Sequence, residues 1–158
     1  MAETVALILK SNGKQIEGNS TQTSLGRDKT IECLDFWYNV TAAREASTGM
    51  ATGRRLHDPI WIQKRIDKSS PLIAKAMTNH ENIEGKFMFF RPNVTGDGTT
   101  EQFYTIEITK GRVAAINQTM PDQAEEHPLE EVEFTFENIK WTWTDGGVSH
   151  EDQWSAPK

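Results

Sequence analysis

Four histidines, one cysteine, two adjacent serines and a group of glutamates are the side chains of this chain most able to do chemistry, and their spacing argues against each chemistry in turn. His57, His80, His127 and His150 are widely scattered, and none has a His or Cys partner at metal-ligand spacing, so surface or turn histidines are expected rather than a metal site. Cys33 is the only cysteine, which excludes an internal disulfide. It lies in TIECLDFWYNV with no neighbouring cation or helix start to activate it, and reads as an inert packing residue. Ser69 and Ser70, taken with His57, lack the G-x-S-x-G elbow of a hydrolase, and helix capping accounts for them. Gly49 to Gly53, followed by Arg54, has three residues between glycines and no Lys-Ser/Thr ending, so it is not a phosphate loop. Glu125, Glu126, Glu130 and Glu131, placed around Pro121 and Pro128, read as a solvated charged loop. No catalytic residue, metal or cofactor is expected.

The elements around these residues are mostly strands. In GRRLHDPIWIQKRIDKSSPLIAKAM, Gly53 to Met77, the alternation puts Ile60, Ile62 and Ile66 on one face and Trp61, Gln63, Arg65 and Asp67 on the other. Ser69 and Ser70 are candidate N-caps, and Pro71 suits the first helical position because its missing N–H costs nothing there. Leu72, Ile73, Ala76 and Met77 then form an apolar stripe on a helix short enough to need a sheet to dock on. Elsewhere TVALILK is a strand, Ser11 to Lys29 a polar connection, Thr30 to Arg44 one long strand, and Glu45 to Leu56 a loop rich in small residues. Ile83 to Phe90 carries Phe87 and Phe89 on one face and Met88 and Phe90 on the other, which predicts a strand covered on both sides by core, helix or a neighbouring subunit. The GDG at Gly96 to Gly98 supplies positive φ for a hairpin, and Gln102 to Thr109 returns with Tyr104, Ile106 and Ile108 on one face. Gly111 marks a bulge before Val113 to Met120. Val132, Phe134 and Phe136 differ in parity from Ile139, Trp141 and Trp143, so a bulge or a crossing between sheets is expected near Glu137 and Asn138. Asp145, Gly146 and Gly147 turn the chain toward a closing strand at Gln153, Trp154 and Ser155. The pattern predicts a mainly β protein, a compact barrel or two-sheet sandwich with one short helix, and one domain over residues 1–158.

A net charge of −6 argues against nucleic acid and anionic membranes as partners, since both need clustered positive charge. MAETVALILKSNGK lacks a basic n-region and a cleavage site, so no signal peptide is expected. Its apolar run is too short to span a bilayer. The four N-x-[ST] sequons at Asn19, Asn39, Asn93 and Asn117 are then chance matches in a Thr-rich β protein. The dozen residues from Glu45 to Leu56 are long for a structureless connection, which suggests function. Their small residues permit close backbone approach to another chain, Met50 offers an adaptable apolar contact and the arginines charged hydrogen bonds.

Two blocks carry a resemblance. A GRR-x-H-x-P turn, a strand with a lysine and a D-K-[SA]-S-P-L helix start are present as Gly53, Arg54, Arg55, His57, Pro59, Lys64, Asp67, Lys68, Ser69, Ser70, Pro71 and Leu72. An I-x-W-T-[WY] strand and a D-x-W follow as Ile139, Trp141, Thr142, Trp143, Asp152 and Trp154. In this order they resemble the haemolysin-coregulated protein (Hcp) family, the tube subunits of bacterial type VI secretion systems, over essentially the whole chain. The resemblance implies a barrel-like β fold without enzymatic activity. It also implies a homo-hexameric ring with a wide lumen for small effector proteins, stacked into a tube inside a contractile sheath and capped by a spike protein. Such a subunit is cytoplasmic when assembled and then secreted to the medium or a target cell without a signal peptide. Some members carry a toxic enzyme domain after the tube domain, and a chain ending at Lys158 is expected to have no such extension. The family's extended loop helps one ring meet the next, which implies a stacking role for Gly49, Met50, Gly53, Arg54 and Arg55. Rings of strongly negative subunits need opposite charges at their contact, and Glu125, Glu126, Glu130 and Glu131 are the expected acidic counterpart. The alternatives are a contractile-phage tail-tube protein, which shares a similar fold, and a small ligand-binding β-barrel, which should be monomeric with a concave apolar pocket.

Overall fold

The structure, a computed structural model, describes residues 3–122 and 127–154. Among these, twelve strands and one α-helix follow in the order β1 (Thr4–Ser11), β2 (Lys14–Ile16), β3 (Ile31–Cys33), β4 (Asp35–Trp37), β5 (Val40–Arg44), β6 (Ala51–His57), β7 (Ile60–Arg65), α1 (Ser70–Thr78), β8 (Ile83–Pro92), β9 (Thr100–Thr119), β10 (Leu129–Thr135), β11 (Asn138–Trp143) and β12 (Val148–Gln153), with a single 3-10 turn at Asp145–Gly147. The first half of β9 pairs with β8 and β11, and its second half with β10. β1 extends the first group beyond β8, and β7 and β4 extend the second beyond β10. One twenty-residue strand thus belongs to two layers.

The bend in β9 falls at Gly111. A Cβ there would lie 2.8 Å from the Thr135 carbonyl and 3.1 Å from that of Ile83, so three backbones converge where only glycine fits. The β8–β9 register slips beside it, as the expected bulge requires. The parity change near Glu137 has the same origin. β10 ends in one layer, β11 begins in the other, and Phe136 and Ile139 are both buried across the corner. The core between the layers contains Leu7, Leu9, Ile31 and Phe87 from one side and Ile60, Ile62, Val132 and Phe134 from the other.

Two-sided burial of β8 is also observed. Phe87 enters the main core, while Met88 and Phe90 join Ala6 in a second small cluster on the opposite face. The cover on that side is the chain itself: the Arg27 guanidinium lies 4.4 Å from the Phe90 ring centre, fixed by bonds of 3.0 and 2.8 Å to the carbonyl and hydroxyl of Ser24. Gly96 and Gly98 adopt the positive φ expected of their hairpin.

Several expectations are corrected. Thr30 to Arg44 is three strands, because the chain passes from β1 at β3, to β7 at β4, to a hairpin partner at β5. Glu45 to Leu56 is largely the turn and second arm of that β5–β6 hairpin, a separate two-stranded sheet. Ile66 is exposed, and Lys64 takes the inward position after Ile60 and Ile62. Lys64 shares the parity of Ile60 and Ile62, so the inward face of β7 runs through a charged residue. α1 begins after Ser69, yet neither serine caps it: Ser69 Oγ donates to Asp67 Oδ1 and Ser70 Oγ to Glu130 Oε2. Ile73 and Ala76 are buried as expected, Met77 packs against the core, and Leu72 is exposed. The closing strand is β12, which ends at Gln153; Ser155 lies outside the described residues.

Candidate functional site

Two polar clusters are built from the motif residues. The first is buried beneath α1. β7 and β10 are in register with Lys64 directly opposite Glu130, and both side chains are fully inside. Lys64 Nζ lies 2.7 Å from Glu130 Oε2 and 3.2 Å from Asp67 Oδ1, and donates to the Arg65 carbonyl at 2.9 Å. Ser70 Oγ donates to the same Glu130 oxygen at 2.7 Å, and Gln118 Nε2 donates to the other at 3.2 Å. Burial alone would raise the Asp67 pKa, but bonds from the Ser69 hydroxyl, the Lys64 charge and backbone N–H groups outweigh it and hold the carboxyl below its usual range. Such a cluster staples the helix start to two strands.

The second cluster joins the hairpin to the end of the chain. Arg55 Nε and Nη2 donate to the two oxygens of Asp152 at 2.5 and 2.7 Å, a two-point ion pair, and Nη2 also reaches the Gln153 carbonyl. Arg54 Nη2 donates to the Trp154 carbonyl at 3.1 Å. His57 is buried, which corrects the surface or turn expectation for it. Its Nε2 lies 2.8 Å from Asp152 Oδ2 and its Nδ1 2.8 Å from the Tyr38 hydroxyl. A carboxylate only accepts, so Nε2 carries the proton and, in the neutral ring, Nδ1 accepts from Tyr38. Phe136, Trp141 and Trp154 pack around the ring at 5.4 to 6.3 Å between centres. His80, His127 and His150 are exposed, as expected.

The Arg55 hydrogen bonds hold the Asp152 carboxyl far below the usual carboxylate range. Its contribution to stability is therefore present above the ordinary carboxylate pKa and lost only as pH falls through that depressed value. Burial, reinforced by Asp152, pushes the Tyr38 phenol well above its ordinary value. Burial likewise pushes the Cys33 thiol up to about 12, which keeps it protonated and unreactive near neutral pH. These groups are arranged to hold segments together, with neither phenol nor thiol activated as a nucleophile.

The remaining candidates fall in different places. Gly49 takes positive φ in the hairpin turn, and Met50 beside it is 66% exposed. Gly53 sits in β6 opposite Ala43, whose Cβ is 3.5 Å from where a Gly53 Cβ would be. Arg54 and Arg55 lie on β6 rather than in a flexible loop, and both reach the chain end. Glu130 is fully buried on Lys64, so it is no surface counterpart for the arginines. Glu131 is half-buried and accepts from Trp61 Nε1 at 3.3 Å, and Glu125 and Glu126 lie outside the described residues. The partners that sequence reasoning missed are Tyr38, Asp67, Glu130 and Asp152. Lys64 alone left a signal, a charge at an inward position of an alternating strand. A groove of about 530 Å³ is lined by charged and polar residues, Glu107, Lys140, Glu151 and Asp152 among them, and by Ile139.

Trp141 is only half-buried, stacked on His150 at 5.8 Å with an 8° interplanar angle. Trp141→Ala is therefore expected to destabilise by about 1–3 kcal/mol, below the range for fully buried aromatics. Thr142→Ala, on the opposite face, should shift the chemical-denaturation midpoint much less; equal shifts would contradict the facing seen here.

The fold and its clusters define a β-rich structural module with an outlying hairpin tied to its chain end. The model of the family described as "Type VI secretion system effector, Hcp" matches residues 8–143. The chain belongs to this Hcp family and is a type VI secretion tube protein. It is 32% identical over 146 residues to the "Major exported protein" of Pseudomonas aeruginosa, covering 89% of this chain and 83% of that protein. The solved Hcp1 protein of E. coli EAEC 042 is 30% identical with a TM-score of 0.85, covering 97% of this chain and 99% of the other. The secreted protein Hcp3 of Pseudomonas aeruginosa shares the fold, with a TM-score of 0.78 at 23% identity over 98% of this chain and all of that one. Among the described residues no helix is long and apolar enough to cross a membrane.

Proposed function

We propose that six copies of this chain close into a ring with a wide lumen, and that rings stack into a tube within a contractile sheath, capped by a spike and expelled on contraction. Small effector proteins travel in the lumen, and the subunit leaves the cell with its tube. The work is mechanical and associative, with no covalent step. Family membership supports the reading, as does the name of the exported Pseudomonas relative. The observation that carries the stacking step is the β5–β6 hairpin, which pairs with no other strand among the described residues and exposes Met50 and Leu56. Six charges of −6 per ring make about −36, which works against stacking, and Arg55 is already paired with Asp152, so the contact between rings falls to the exposed apolar side chains of the hairpin.

Purified protein is expected to run in light scattering as a closed ring of about six subunits. A monomeric mass at micromolar concentration and near-neutral pH would refute the ring and favour a solitary barrel.

A further inference from the structure

The β5–β6 hairpin is its own sheet, and two strands alone are marginal in water, so something outside the hairpin must fix its direction. Three side chains of β6 reach one short segment of chain: Arg54 to Trp154, Arg55 to Asp152 and Gln153, and His57 to Asp152. Asp152 is central, taking two bonds from Arg55 and one from His57 with only 13% of its side chain exposed. It sits on β12, which is held in the main sheet by β11, its own register partner being Ile139. A strand of the main sheet therefore grips the base of an arm that pairs with no other strand among the described residues.

We propose that Asp152 is a positioning residue for assembly: through Arg55 and His57 it sets the angle at which the hairpin leaves the body, and so decides whether the tip meets a second copy of this chain in the next ring. The inference rests on the stacking role of the hairpin given above. The geometry makes the angle matter, because the five residues from Arg55 to the tip at Met50, at roughly 3.3 Å each, give an arm of about 16 Å, and a tilt of about 15° at its base moves the tip by about 4 Å. That is the width of a side-chain contact. The contact is repeated around the ring, so a misaimed arm fails at every position together. The two motif blocks, far apart in sequence, are then one device: the basic turn supplies the arm's anchor points and the D-x-W segment grips them.

The test compares three full-length variants. Asp152→Asn keeps the size of the side chain but loses the charge and one of its two acceptor oxygens. Arg55→Lys keeps the charge but loses the planar fork that engages both oxygens. Met50→Glu alters the tip and leaves the anchor alone. Asp152→Asn and Arg55→Lys are expected to keep the ring mass by light scattering and the amide exchange of β8 and β9. Amide exchange across residues 40–57 should become about tenfold faster or more. Electron microscopy should show isolated rings in place of tubes. Met50→Glu should lose tubes without any change in hairpin exchange. Loss of the ring in Asp152→Asn, or unchanged hairpin exchange, or wild-type tubes despite fast exchange, would each overturn the positioning role. Wild-type tubes in Met50→Glu would instead overturn the stacking role of the hairpin itself, so the two failures are separable.

Discussion

Lys64→Met is expected to lower the unfolding free energy by about 3–5 kcal/mol, because it leaves the Glu130 carboxylate buried without its cation. Both side chains are fully inside, and the Nζ to Oε2 distance is 2.7 Å. Ser70 and Gln118 would still donate to Glu130, but neither supplies a positive charge. The energetics are asymmetric: breaking one half of a buried pair costs far more than replacing both halves. Lys64→Met combined with Glu130→Leu should therefore recover much of the loss, even though two polar groups are gone. Urea midpoints measured at one protein concentration would show it, since assembly adds a concentration-dependent term. A single-variant loss under about 1 kcal/mol, or a double variant worse than the single, would mean that the pair is hydrated or that Asp67 carries Lys64 alone.

The second large effect is expected at Phe87. Its side chain has no exposed surface and meets Phe36 edge-on at 5.3 Å and Phe134 at 6.0 Å between ring centres, so it joins the two layers. Phe87→Ala should cost about 3–5 kcal/mol, from lost burial plus the cavity left between strands that cannot collapse. Phe89, two residues on and sharing the face, is only half-buried and should cost less on the same change. Comparable losses from the two substitutions in chemical denaturation would show that the boundary of the core is misplaced.

Much of the architecture is legible in the residues themselves. Alternation places Ile60, Ile62, Phe87 and Phe134 inward, and the parity change between Phe136 and Ile139 announces the corner between layers. The glycines of GDG and Gly111 mark a turn and a three-backbone crossing that no other residue fits. These are local signals, since a strand's period and a turn's φ are set within a few residues. The order of the two motif blocks also points to the family.

What the motifs do was decided only by the tertiary structure. Arg55 meets Asp152 across 97 residues, and Lys64 meets Glu130 across 66. One sequence carries the period of each strand but not which strand lies beside it or in what register. A charge on an inward face therefore looks like an exposed residue until its partner is in place. The serines at the start of α1 fit a cap by type and spacing, yet Glu130 on a distant strand takes the Ser70 hydroxyl instead. The arginines looked like part of a free loop for the same reason. Arg55 holds a largely covered carboxylate, a contact set by the pairing of β11 with β12 and by the two-point geometry of a guanidinium, neither of which is written in the residues near position 55.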